Sequence, residues 1–183
     1  SLTFTVSGLA DGANELISVD GTAITLDASS TGTTTNNGMN YSVTVSGGTA
    51  TIVLAKSGGV STSNINSIIN GITYQDTNAD DPTAGSRVFT ITQLKDTGGT
   101  AHGGSDTAAL ALSSTVTVVP VNDAPSLTVT ALDPSFTESP CLGSQAAPVT
   151  VFSGANVATV ESGQAIASLT FTVSGLADGA NEL

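Results

Sequence analysis

SLTFTVSGLADGANEL at residues 1–16 returns letter for letter at residues 168–183. Within it Leu2, Phe4 and Val6 alternate with Thr3 and Thr5, the period-two pattern of a strand with one buried face. The stretch settles two matters together. Strand rather than helix is the working element, and the chain reads as one period of a tandem array with a short overlap. A period this long is a whole domain, not one turn of a solenoid. Because both copies read as strand, the sequence is expected to open and close inside a fold.

The same alternation continues outward. ELISVDGTAITL sets Asp20-Gly21 between two alternating runs, and a two-residue hairpin turn needs such residues for its positive φ angles. YSVTV and TATIVLA flank Gly47-Gly48 and predict a second hairpin. RVFTITQL, TAALALSSTVTVVPV, SLTVTAL and PVTVF are further predicted strands. STSNINSIING differs: Ser and Asn caps, Ile65, Ile68 and Ile69 at helical spacing, and Gly71 as the stop predict a short helix leading into ITYQD. Short strands, Gly-rich turns and one helix predict an all-β sandwich.

Pro120-Val121-Asn122-Asp123-Ala124-Pro125 reads as a stiff extended joint, since two prolines fix φ and resist folding back. Residues 1–121 are then the later part of one sandwich repeat. Residues 122–125 are the linker, and 126–183 are the opening strands of the next repeat. A linker this short cannot return 126–183 across a strand length. That segment is therefore expected beyond the 1–121 body, completing a sandwich with a neighbouring copy, while the two identical segments compete for one strand position.

Charge narrows the partners. Three Lys and Arg face 15 Asp and Glu, a net charge of −12, which argues against nucleic acid and against an anionic membrane surface. The carboxylates either stay solvated or take up metal, and Ca²⁺ is the hard cation that oxygen ligands favour. A 39% hydrophobic share and a mean hydropathy of +0.24 predict a folded core rather than disorder. No run of about 18 apolar residues is present, so membrane insertion is not expected. No secretory leader is visible, and a window cut from an array would hold none.

Catalysis has little support. His102 is the one histidine and reads as an exposed loop residue; no GxSxG elbow exists, so no enzyme is expected. Cys141 is alone, which excludes an internal disulfide framework and Cys-based metal spacing. An isopeptide from Lys56 or Lys95 finds no support in the spacing.

The acidic positions are the candidate sites. Asn122 and Asp123 in the linker can gather Ca²⁺ oxygens at a joint between domains, or simply shape a turn. In DTGGTAHGGSD, Asp96 and Asp106 flank Gly98, Gly99, Gly103 and Gly104, which lets backbone carbonyls converge on an ion or merely gives a flexible hairpin tip. Asp80 and Asp81, with Asp76 nearby, form the densest acidic cluster, and a solvated turn is favoured over metal there.

VNDAPSLT after a Thr/Val strand resembles the joints of cadherin-like and bacterial immunoglobulin-like repeats in giant RTX-type surface adhesins. FTES at 136–139, VESGQAIASLTFTVSGLADGANE, ITYQDTNADDPTAGSRVFTIT and LKDTGGTAHGGSD extend the likeness over most of the chain. SPCLGSQAAP at 139–148 fits less well and reads as an insertion, leaving Cys141 without a role. The resemblance implies a Greek-key, immunoglobulin/cadherin-like sandwich stacked head to tail on the bacterial cell surface and stiffened by Ca²⁺. It would add Glu138 from the following domain, and Asp96 from the preceding one, to the ligands at Asn122 and Asp123. No RTX nonapeptide occurs in the chain. The expected function is a structural extender of a secreted adhesin. Alternatives are a self-assembling extracellular filament or sheath subunit completed by strands of neighbouring chains, and a carbohydrate-binding module. Aromatics at 4% with no Trp count against the last.

Overall fold

β1 (Leu2–Ser7) runs through the middle of a six-stranded sheet, with Leu2, Phe4 and Val6 buried and the threonines between them half-exposed. In the computed structural model residues 1–179 are described, and they fall in two units divided between Val121 and Asn122. Residues 180–183, including Glu182, lie outside the described residues.

In the first unit the six-stranded sheet has the order β4 (Ser30–Thr33), β5 (Asn40–Ser46), β6 (Thr49–Ala55), β1, β8 (Gly85–Lys95) and β9 (Thr107–Val118), with every neighbouring pair antiparallel. A three-stranded sheet, β3 (Thr22–Thr25), β2 (Glu15–Val19) and β7 (Thr73–Asp76), is also antiparallel. Inward residues of both sheets share one core: Phe4, Val43, Ile52 and Leu54 from the first, Ile17, Val19 and Ile24 from the second. The protein is an all-β sandwich, with one α-helix among the described residues.

Local chemistry explains most of these elements. Asp20 (φ 50°) and Gly21 (φ 76°) form the turn between β2 and β3, and Gly47 (φ 56°) and Gly48 (φ 70°) the turn between β5 and β6, as the hairpin signals predict. The helix α1 (Thr62–Asn70) starts at Ser61, whose side chain accepts a hydrogen bond from Asn64 N, and its Ile68 enters the core. After β1 the chain turns at Gly8 (φ +82°), where a Cβ would lie 2.2 Å from the Ser86 carbonyl oxygen; only glycine fits this approach.

Among its described residues the second unit contains one antiparallel pair, β10 (Ser126–Ala131) and β11 (Phe152–Ala158), whose residues are all exposed. Residues 132–151 between them carry no helix or strand.

Two expectations need correction, and one strand was not foreseen. PVTVF is not the strand; pairing with β10 begins only at its last residue, Phe152, and runs on through FSGANVA, which bends at Gly154 (φ 60°). STGT forms β4 although its small polar residues give no apolar alternation, because the edge of β5 supplies its hydrogen bonds. Leu169–Ser174 is not a strand, although its sequence is that of β1. Leu2 and Phe4 are 0% and 1% exposed, whereas Leu169 and Phe171 are 73% and 76% exposed. β1 lies between β6 and β8, and the second copy pairs with neither kind of strand.

Candidate metal centre

Among the described residues, one group of three carboxylates brings ligand atoms within 4.8 Å of one another: Asp11, Glu15 and Asp76. Each is placed by a separate piece of the fold. Asp11 stands just before a 3-10 turn at Gly12–Asn14, Glu15 opens β2, and Asp76 ends β7 directly opposite Glu15 in the strand register. Arg87 reaches the group from β8 of the other sheet.

Glu15 is fully buried and fully satisfied. Its Oε2 accepts from the backbone N–H groups of Ala10 (2.7 Å) and Asp11 (2.9 Å), while Oε1 accepts from the Tyr74 hydroxyl (2.8 Å) and from Arg87 Nε. Burial pushes this carboxyl up, but the Arg87 hydrogen bond, together with those from Asp11 N, Tyr74 and Ala10 N, holds it below its ordinary range. Burial and the Glu15 carboxylate in turn push the Tyr74 hydroxyl above its ordinary value.

Asp11 is clamped from the side. Arg87 Nη2 lies 3.2 Å from its Oδ2, and Thr83 donates through its backbone N–H (2.8 Å) and its hydroxyl. Burial raises Asp11, but the Thr83 hydrogen bonds, the neighbouring Asp76 carboxyl and the Arg87 charge bring it below the usual range. Asp76 behaves oppositely. Its Oδ1 accepts from Asn78 N, but Oδ2 is buried without a hydrogen-bond partner. Burial first, then the facing Asp11 and the Glu15 charge, push Asp76 above the usual range despite the Asn78 N–H.

The arrangement offers two chemistries. Asp76 takes a proton and shares it with Asp11, or a divalent cation bridges the carboxylates and removes their repulsion. Arg87 already neutralises part of the charge, so the cation's room is on the Asp11–Asp76 side. The donor set is all oxygen and suits a hard cation.

Asp76 apart, the positions singled out from sequence lie elsewhere. Asn122 Oδ1 accepts from Gln164 Nε2 (2.6 Å), and Asp123 N donates to the Glu161 carboxylate. Glu138 is exposed on the 132–151 connection, and the acidic residue bonded to the linker is Glu161. Asp96 N donates to the Asp106 carbonyl, closing the Gly-rich loop as a hairpin tip. Lys95 lies 3.2 Å from the Asp106 carboxylate, and Asp96 Oδ1 caps Gly98 N. The Thr107 and Lys95 hydrogen bonds lower Asp106. Asp81 exchanges hydrogen bonds with Asn78 in a turn, and Asp80 is exposed. None of these forms a three-carboxylate group among the described residues. His102 (φ 57°) is an exposed turn residue, and Cys141 is exposed.

Sequence reasoning singled out neither Asp11 nor Glu15. A signal was available: both lie in the repeated segment, with counterparts at Asp178 and Glu182. Among the described residues no helix is long and apolar enough to cross a membrane. No protein-family model, curated protein or solved structure matches the chain.

Proposed function

We propose that the chain is an extender repeat of a large, secreted bacterial cell-surface adhesin, stacked head to tail with identical repeats and stiffened by Ca²⁺. The observation that carries this reading is the unchanged return of sixteen residues after a full domain length. Selection for a repeated scaffold keeps strand and turn residues together, as in SLTFTVSG and LADGANEL. For calcium, the support is the Asp11–Glu15–Asp76 group with its unpartnered buried oxygen. The linker pair Asn122 and Asp123, with Glu161, is a second candidate place for Ca²⁺ at the joint.

A cation that binds the native state alone stabilises it by mass action. Millimolar Ca²⁺ is therefore expected to raise the melting temperature of the 183-residue chain relative to EDTA. Asp76→Asn should remove that response, and Asp123→Ala should leave it if the three-carboxylate group is the site. Identical melting curves in Ca²⁺ and EDTA overturn the calcium part of the proposal. The filament-subunit reading is favoured by one observation, the fully exposed β10–β11 pair.

A further inference from the structure

The two sheets of the first unit are unequal, six strands against three. Where β7 ends the smaller sheet, β8 and β9 leave an open groove of about 360 Å³ whose walls include Phe4, Ile72, Phe89, Ile91, Leu112 and Val116. The β8–β9 register sets Leu112 opposite Ile91 and thus on the core-facing side, yet Leu112 is 62% exposed. No charged side chain lines the groove. β7 pairs only with β2, so its other edge presents unpaired backbone groups.

The β10–β11 pair has the opposite deficiency. A two-stranded hairpin is marginal by itself in water and needs another sheet or a helix against its apolar face. Leu127 and Val157 are register partners and so share a face, and Ala131 and Phe152 do likewise. Leu127, Val129, Phe152 and Val157 are all exposed. Neither SLTVTA nor FSGANVA contains a charge, so an uncharged ribbon meets an uncharged groove in a chain of net charge −12.

The repeat identifies the occupant. The second SLTFTV is preceded by residues 126–167, so a β10–β11 segment is what stands before a β1 sequence. We propose that the groove between β7 and β8–β9 is the docking site for residues 126–158 of a second copy of this sequence. The incoming hairpin adds to the free edge of β7, extends three strands to five, and covers Phe89, Ile91 and Leu112. Donor and acceptor are different surfaces, so the contact is heterologous and builds open head-to-tail chains. This inference rests on the tandem-repeat reading and is independent of calcium.

Sedimentation velocity on the full chain tests it. The sedimentation coefficient is expected to rise from micromolar to sub-millimolar protein. Leu112→Glu blocks the groove and Leu127→Glu blocks the hairpin; both residues are exposed, so neither change opens a core. Each variant alone should stay monomeric. Their equimolar mixture should form a dimer and nothing larger, because it holds one intact groove and one intact hairpin per pair. A parent chain that is monomeric at every concentration, or a mixture that does not dimerise, overturns the proposal. Repeating the runs in EDTA separates the two readings. Assembly in EDTA with no calcium effect on melting keeps the docking and removes the cation, whereas a calcium-dependent melt with a monomeric chain does the reverse.

Discussion

Arg87 is a residue at which a single change should weaken the sandwich. It is 1% exposed and joins the two sheets through Glu15, itself 0% exposed. Removing one member of a buried ion pair leaves the other charged and unsolvated, at a cost of about 3–5 kcal/mol. Arg87→Met should lower the unfolding free energy by roughly that amount in urea titration, and Arg87→Met with Glu15→Gln should recover part of it. Acid should act through the same group. Asp11 and Glu15 lie below their ordinary values, so their contribution is present above the unfolded carboxylate range, about pH 4, and is lost as pH falls through the lower folded values. Asp76 lies above its ordinary value, so its contribution is present below the unfolded value and lost as pH rises through the folded one. At neutral pH in EDTA, Asp76→Asn should therefore melt higher than the parent, a comparison that calorimetry makes directly. The sequence shows the carboxylates but not this arrangement, because Glu15, Asp76 and Arg87 meet only once β2, β7 and β8 are in place.

At the scale of elements, what could be read in advance is what local chemistry dictates. Asp20-Gly21 and Gly47-Gly48 fix two hairpins because few other residues accept positive φ there. Ser61 fixes the start of α1 through its bond to Asn64 N, and Ser61→Ala should cost about 1 kcal/mol in thermal or urea unfolding. Gly71 ends α1 without a left-handed turn, at φ −95°, where a Cβ would crowd the Ser67 carbonyl oxygen at 3.1 Å. The elements that could not be read are those that a partner creates. β4 exists through β5, and β11 is placed by its pairing with β10, not by the β-propensity of PVTVF.

For the molecule as a whole, stability is unevenly distributed. The buried core residues all belong to the first unit, between Leu2 and Ile68. The second unit buries no large apolar side chain among its described residues. Local opening follows buried apolar contact, so chymotrypsin should cut first near Phe136 and Leu142 and leave a resistant fragment near residues 1–121. Mass spectrometry of the digest reads this, and early cleavage at Phe4 or Phe89 would contradict it. The twin segments carry a further consequence. Leu2–Ser7 and Leu169–Ser174 share every side chain and every intrinsic propensity, yet one is a central strand and the other is not. The molecule thus holds its own reference state. A difference between matched reporters at Thr3 and Thr170 cancels amino-acid composition and measures only what neighbouring strands contribute.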